Sequence, residues 1–349
     1  MASPKRLIVL GAGPVGLMSA IRGRQLGLDV EVYASGLPQG PPRVECVPSQ
    51  VVALLVEFGV SPKSVGVDTL YRLRTAQWSS RAVITTPTPD VAHIERPALD
   101  IALLQAALRA GAKVHAMQDG LLPQFRRQHR ENQCLLLDAS GRSAVTATQR
   151  LGPRRPLVAR LFHLPMRPDL RSSGLMIAAG ADGYAYRLGS ATTLTMGVVG
   201  RKDFVRGDGR QIIAKIADFA PWLVEGIAGD EMQPGASGPA SAQWSPGHHE
   251  ESVPIGDAFF ARDALASQGL AMGFSDALKA IVQPDQERRP SPRRDQMQAV
   301  SLHCQRVIEQ IASSTFSSAQ CWIEYTRFLA DLELAAMPSH AGLSPARAG

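Results

Sequence analysis

The spacing Gly11-Ala12-Gly13-Pro14-Val15-Gly16, set directly behind the short apolar run Leu7-Ile8-Val9-Leu10, admits few folds. Glycines in the order G-x-G-x-x-G let the backbone turn sharply and approach a pyrophosphate, and the helix that starts there offers its free amides to the anion. The context fits. Val15, Leu17, Met18 and Ile21 follow at helical spacing, and Leu28-Asp29-Val30-Glu31-Val32-Tyr33 reads as the returning strand. The βαβ unit so formed has its first strand in the middle of a parallel sheet, buried on both faces. Gly11, Gly13 and Gly16 are therefore expected to bind a dinucleotide. One position departs from the pattern. The acid that takes the ribose hydroxyls is expected about 20 residues on, where this chain has Ala34 followed by Ser35. Either Ser35 or a neighbour takes that part, or the cofactor is held less tightly, since Glu31 lies inside the strand.

Farther along, residues 47–58 and 96–111 read as helices, the first with Gly59 behind it and the second running up to Gly111. Residues 114–116 and 134–137 read as short strands, the latter running into Asp138-Ala139-Ser140-Gly141-Arg142. From residue 158 the pattern changes. Residues 158–164, 175–179, 184–188 and 192–199 are β-like runs separated by Gly, Asp and Ser, which suits an antiparallel sheet. A helical piece near 211–220 precedes the Pro- and Gly-rich stretch 231–246, which reads as loop. A long helix over 267–281, a basic linker over 286–294 and helices over 296–311 and 318–334 complete the pattern, with a frayed tail from 338. The expected division is a discontinuous nucleotide-binding domain over 1–157 and 247–285, an antiparallel β domain for substrate over 158–246, C-terminal helices over 286–337 and a flexible tail over 338–349.

Composition narrows the function. Of 349 residues, 45% are hydrophobic and 19% charged, enough apolar material for a core and too much for global disorder. The net charge of +6 is spread along the chain and aromatics make up only 5%, so stacking platforms are scarce and no nucleic-acid partner is expected. Cys46, Cys134, Cys304 and Cys321 stand far apart, with no C-x-x-C pair, so neither a metal centre nor a disulfide framework is expected. The apolar run after Lys5 and Arg6 is too short for a signal or a membrane span, and a reducing, cytoplasmic setting with no membrane partner follows as the expectation. His248-His249-Glu250-Glu251 has no helical ligand spacing and reads as a solvated loop. No Ser-His-Asp signature, P-loop or second G-x-G-x-x-G is present, so a nicotinamide has no domain of its own here.

Three separated pieces then combine. The N-terminal glycine motif, Asp138-Ala139-Ser140-Gly141-Arg142, and Gly256-Asp257 with Asp263-Ala264-Leu265-Ala266-Ser267-Gln268-Gly269-Leu270-Ala271-Met272-Gly273 resemble, in order and spread, the three FAD fingerprints of the p-hydroxybenzoate hydroxylase fold. The resemblance implies an α/β chain: a Rossmann-type FAD-binding domain, an interleaved antiparallel-sheet substrate domain and C-terminal helices. It implies FAD as cofactor, with Asp257 accepting from the ribityl hydroxyls and the helix start at Gly269, Leu270, Ala271 and Met272 facing the flavin pyrimidine ring; close helix packing would equally account for Gly269 and Gly273. The family also places an Arg after the second strand, for which Arg43 is the candidate, and an Arg or Gln at the helix opening Arg96-Pro97-Ala98-Leu99-Asp100, where Arg96 and Gln105 compete.

Within the fold, the form Asp138-Ala139-Ser140-Gly141-Arg142 and the segment 263–273 are similar to the branch of tryptophan halogenases and related oxygenases. Halogenases carry a W-x-W-x-I-P segment and a lysine that handles hypohalous acid, whereas here Trp244-Ser245-Pro246 stands alone and Lys63 lies in no recognisable motif. Hydroxylation of an aromatic substrate through a flavin C4a-hydroperoxide therefore ranks above halogenation. Segments 43–48 and 263–273 further resemble the flavoprotein hydroxylases that modify a tryptophan in a polypeptide during quinone cofactor biogenesis. That resemblance implies a Trp-containing polypeptide as the partner in place of an aromatic small molecule, docked by a basic surface such as Arg288 to Arg294. The reductant is either NAD(P)H, visiting transiently, or a separate flavin reductase. A reductase of the same fold and a poorly flavinated, non-catalytic relative stay open, and no catalytic side chain is assigned. Phe162, His163, Met176, Tyr184, Tyr186 and Met196 of the middle sheet are either core or substrate contacts, and alternation puts Tyr184, Tyr186 and Leu188 on one face.

Overall fold

The computed structural model describes residues 5–36, 40–171, 174–246, 251–281 and 292–336. Its first half opens with β1 (Arg6–Leu10), α1 (Pro14–Gln25) and β2 (Asp29–Ala34), then β3 (Val44–Pro48), α2 (Ser49–Glu57) and a hairpin of β4 (Leu70–Gln77) and β5 (Ile84–Glu95). Next come α3 (Arg96–Arg109), β6 (Lys113–Ala116), α4 (Leu121–Arg130) and β7 (Leu135–Asp138). The second half runs β8 (Val158–Pro165), β9 (Gly174–Gly180), β10 (Gly183–Gly189), β11 (Thr193–Gly200), α5 (Lys202–Val205), α6 (Gly209–Ala217), β12 (Gln233–Pro239), β13 (Gln243–Trp244) and β14 (Val253–Pro254). It closes with α7 (Asp257–Phe260), α8 (Gly269–Ala280), α9 (Pro292–Ala312) and α10 (Gln320–Ala336).

Five strands form an all-parallel sheet in the order β14-β7-β1-β2-β6, with β1 central. Leu7, Ile8 and Val9 are fully buried, as a continuous apolar run covered on both faces must be. Helix α1 lies close because Gly23 has no side chain; a Cβ there would stand 2.5 Å from Leu7 Cδ2. Eight strands form the second sheet, in the order β12-β8-β11-β10-β9-β4-β5-β3, antiparallel except where β4 meets β9. This sheet curls until its last strand packs back on its middle, where the Val44 amide donates to Thr195 Oγ1 at 2.8 Å. One face is covered by α6 and the chain around it, through Phe162, Met196, Ile212 and Ile216. Part of the other is closed by α9 and α10, through Trp322, Tyr325, Val300 and Leu329.

The parallel sheet and the antiparallel sheet appear as expected, but the stretch 231–246 is loop only in part, since 233–239 and 243–244 are strand. Pro234, Gly235, Gly238 and Pro239 lie in β12, an edge strand paired to β8 alone, where a proline's missing N–H costs no ladder bond and a register shift between Pro234 and Ser237 absorbs the irregularity. The long hairpin β4–β5 carries little apolar alternation in sequence; it is exposed around its tip and buried at residues 92–94. His248, His249, Arg288, Arg289 and the tail lie outside the described residues, while Glu251 pairs with Arg130 at 2.7 Å and Arg126 at 3.5 Å. No helix among the described residues is long and apolar enough to cross a membrane.

A buried polar knot fastens the C-terminal helices to the loop before α8. Asp263, 3% exposed, accepts from the Leu265 amide at 2.6 Å and from the Tyr325 hydroxyl, which itself accepts from the Ala242 amide at 2.9 Å. The Asp263 amide donates to His303 Nε2 at 3.2 Å. Burial pushes the Asp263 carboxyl up to about 6, against the pull of Tyr325, Leu265 and Arg142. A carboxyl that holds its proton more tightly when folded adds stability at low pH and loses it as pH rises through the folded value. Asp263 therefore contributes a falling slope of about 3 kcal/mol between about pH 4 and 6, opposed over the same range by the rising slope from His303, whose imidazole burial holds down at about 3. Asp263→Asn removes most of the falling slope, which urea denaturation across pH 4 to 8 would reveal; parallel curves for the two proteins would refute it.

Candidate functional site

At the carboxyl ends of β1 and β2 a cleft of about 580 Å³ opens, a size typical of ligand sites. Its floor is the glycine turn. Gly11 holds φ +109°, and its amide donates to Tyr33 O at 2.7 Å, tying the turn to the end of β2. A Cβ on Gly11 would stand 2.5 Å from Ala139 O, and one on Gly16 would stand 2.0 Å from Gly11 O, so both glycines are required by backbone contact. Gly13 differs: it is the N-cap of α1, in extended conformation, and nothing lies within 4 Å of where its Cβ would be. No side chain caps α1, and Pro14 at its first position has no N–H, so the amides of Val15, which lines the cleft, and of Gly16 beneath it have no helical partner.

The segment beside the turn is built by Asp138. Fully buried, its carboxylate accepts four hydrogen bonds: from the Ser140 amide (3.0 Å) and hydroxyl (2.6 Å), and from the Thr146 amide (2.8 Å) and hydroxyl (2.7 Å). Arg142 leaves this loop to donate to the carbonyls of Ser241 (2.8 Å) and Arg262 (3.2 Å). Asp138→Ala leaves two buried amides and two hydroxyls without their acceptor and is expected to cost about 3 kcal/mol or more. Chemical denaturation checks this; a loss within 0.5 kcal/mol, roughly what a surface change produces, would contradict it.

At the opposite end, Gly256 turns the chain at φ +56° and places Asp257 beside the start of α8, its Oδ1 4.0 Å from where a Gly269 Cβ would stand. Among the described residues no donor engages the Asp257 carboxylate, which lines the cleft with Gly269 and Leu270. Burial raises its proton affinity, while Arg142, Arg262 and Arg96 act in the opposite sense. Ala271 and Met272 do not line the cleft, and the Met272 amide is already bonded to Gln268 O at 3.0 Å as the helix ladder begins. Gly273 is a packing residue; a Cβ there would stand 2.4 Å from Val15 Cγ2.

The side wall is an ionic chain. Glu45 Oε1 meets Arg43 Nε at 3.1 Å and Arg96 Nη1 at 2.9 Å, and Arg96 Nε meets Asp100 Oδ1 at 2.9 Å. Burial works to raise the Glu45 carboxyl, but Arg96 and Arg43 outweigh it and hold it below the ordinary range. Asp100 stays above its ordinary value because burial outweighs Arg96. Arg96 lines the cleft, whereas Arg43 does not and reaches it only through Glu45. Gln105, nine residues after Arg96, is turned about 180° around the helix, stands exposed and takes no part. Glu45 carried no motif in the sequence, and Asp100 entered only as the end of the segment Arg96-Pro97-Ala98-Leu99-Asp100, without a role, although Arg96 and Asp100 stand at the i,i+4 spacing of a helical ion pair.

Ser35 stands exposed at the rim, next to Ala34, and both line the cleft. Glu31 is held elsewhere, accepting from Arg6 Nη2 at 2.9 Å and the Tyr33 hydroxyl at 2.7 Å. Thus Gly11, Gly13, Ser35, Arg96, Asp257, Gly269 and Leu270 come together around one cleft, with Gly16 supporting it from beneath.

No family model matches the sequence, and no curated protein matches it. Solved structures do. The myxobacterial chondrochloren halogenase CndH, a FAD-dependent halogenase, superposes with a TM-score of 0.73 at 16% identity over 99% of each chain. The peptidyl tryptophan dihydroxylase QhpG, essential for tryptophylquinone cofactor biogenesis, gives 0.67 at 20% identity over 93% of this chain and 79% of that one. The flavin-dependent brominase Bmp2 gives 0.66 at 16% identity over 93% and 92%. Glycine turn, buried Asp138 loop and Asp257 at the start of α8 thus sit in a chain that has the fold of the FAD-dependent halogenases and of peptidyl tryptophan dihydroxylase.

Proposed function

We propose that the chain is an FAD-dependent oxidoreductase, a monooxygenase that hydroxylates an aromatic substrate. One observation carries the reading: a single cleft joins free amides over an open glycine, at one end, to a donorless carboxylate beside a second helix start, at the other. A dinucleotide requires both, donors for its pyrophosphate and an acceptor for its polyol chain. A flavin held there would supply the redox chemistry. The chain's own residues bind and orient it. Val15 and Gly16 would offer amides to its phosphates, Asp257 would accept from its hydroxyls, and the first turn of α8 would present a positive helix end to the cleft. The chain Arg43-Glu45-Arg96-Asp100 fixes the wall between cleft and second sheet.

Electrons come from NAD(P)H or from a separate flavin reductase, and the substrate is an aromatic small molecule or a tryptophan in a polypeptide, the latter supported by the shared fold with QhpG. Hydroxylation is favoured over halogenation because among the described residues no lysine lines the cleft and Lys63 stands exposed on the short turn Pro62–Val65. The test is the visible spectrum of the purified protein with and without added FAD, followed by oxygen uptake with aromatic substrates in the presence and absence of bromide. Flavin bands and halide-independent oxygen uptake are expected. A halide-dependent product would replace hydroxylation by halogenation, turnover without oxygen uptake would indicate a reductase, and absence of FAD binding would refute the enzyme reading.

A further inference from the structure

One face of the second sheet leads away from the cleft, and its register fixes what it carries. Ala76 stands opposite Ile177, Ile177 opposite Tyr186, and Tyr186 opposite Gly197. The Tyr186 ring lies across Gly197, where a Cβ would stand 2.1 Å from its Cζ. Burial raises the Tyr186 hydroxyl's proton affinity, as does the nearby Glu45 carboxylate of the cleft wall. The two ends of this face differ. Trp78, Tyr184 and Trp322 close one, with ring centroids 6.0 to 6.3 Å apart. At the other, Ile84 pairs with Ala76 and is 44% exposed, so the face opens to solvent along the β4–β5 hairpin.

Arg74 sits on that open side, opposite Leu175 on one strand and Thr86 on the other. Its Nε is buried without a partner, and among the described residues no hydrogen bond or ion pair engages the guanidinium. Burial is the one influence on its proton affinity, which it lowers, so no carboxylate stands near enough to matter. Two other sheltered arginines are provided for, whereas Arg22 Nε on α1 is likewise buried without a partner. Arg187 donates to the carbonyls of Leu170 and Glu225 at the back of the sheet. Arg262, likewise without a hydrogen bond, has Asp276 and Asp257 in its surroundings. A sheltered cation without counter-charge is costly, and a ligand anion relieves that cost when it binds.

We propose that Arg74 anchors a carboxylate carried by the aromatic substrate, whose ring lies along the sheet face between Ala76 and Tyr186. The anchor rests on the aromatic oxidation proposed above and names its substrate class: an aryl or indolyl acid. Arg74 and Tyr186 are two strands and one residue pair apart, about 12 Å between Cα atoms by sheet spacing, a span suited to a ring with a carboxylate on one edge. A guanidinium pairs with a carboxylate through two parallel N–H bonds, which a lysine's single ammonium does not reproduce.

The test needs neither turnover nor FAD. Benzoate and indole-3-acetate are titrated into the protein by calorimetry, alongside their neutral amides, benzamide and indole-3-acetamide. The acids are expected to bind at least about tenfold more tightly than the amides, in the range of a good charged hydrogen bond. Arg74→Gln and Arg74→Met abolish that preference, and Arg74→Lys retains part of it. Equal binding of acids and amides by the wild type overturns the proposal, and this comparison stands even if a truncated variant fails to fold. A preference that survives in both folded Arg74→Gln and Arg74→Met overturns it too. Acid preference without FAD uptake sinks the enzyme reading and leaves the anchor, while FAD uptake without acid preference does the reverse.

Discussion

Gly16→Ala abolishes FAD uptake. The added methyl would stand 2.0 Å from Gly11 O and 3.1 Å from Gly11 C, both backbone atoms of the turn that must hold the phosphates. Nothing there can rotate away, so the first turn of α1 shifts off the glycine loop and the free amides lose their common aim. Overpacking of this kind costs about 1 to 3 kcal/mol, sometimes more, so the melting temperature falls as well. Gly13→Ala is the informative companion. Its backbone is extended and the space around its Cβ is open, so the fold accepts a methyl that projects toward the ligand. That variant melts like wild type yet binds FAD more weakly. Visible absorbance after dialysis against FAD, with thermal melts of each protein, separates the two. A Gly16→Ala protein that retains FAD as wild type does would show that the turn is not the phosphate site.

Asp257→Ala produces the second large effect, and its signature is opposite in stability. Each hydrogen bond from a ligand hydroxyl to an ionised carboxylate contributes about 1.5 to 3 kcal/mol, so FAD affinity falls by roughly 10- to 100-fold. The apoprotein loses little, because no donor among the described residues depends on this side chain, and removing a half-buried charge relieves desolvation. Asp138→Ala does the reverse, since all four of its bonds are internal. Equilibrium titration with FAD and urea denaturation of both variants give the comparison. Equal stability losses for the two would mean that Asp257 is a structural cap and not a ligand for the ribityl chain.

How far these residues could be read from sequence depends on whether their partners are close in the chain. The glycine turn, β1 and α1 were legible because strand, glycines and helix follow one another within twenty residues and each obeys a local rule. Asp257 and Gly269 were legible only through their resemblance to a family fingerprint, because what makes them a site is α8 lying against α1, a contact between residues more than 250 apart. Glu45 was invisible for the same reason: it becomes a cleft residue only when β3 joins β5 and Arg96 turns back onto it. Strand β12 was misread because its prolines break the usual strand pattern, and only its place at the sheet edge makes them acceptable. Gln105 and Arg96 could be separated by helical phase alone, half a revolution apart on α3.

Strand β3 is the last strand of the antiparallel sheet, and yet its Glu45 is a wall of the nucleotide cleft. That shared wall sets a constraint for anyone redesigning specificity. Tyr186 lies on β10, a neighbour of β3, and is close enough for the Glu45 carboxylate to raise its hydroxyl's proton affinity, so exchanges at Tyr186 that widen the sheet face are expected to act on the cleft wall as well. A library built at Tyr186 will therefore show correlated changes in selectivity and cofactor retention. Variants that alter the first alone must come from the hairpin side, around Ala76 and Ile84.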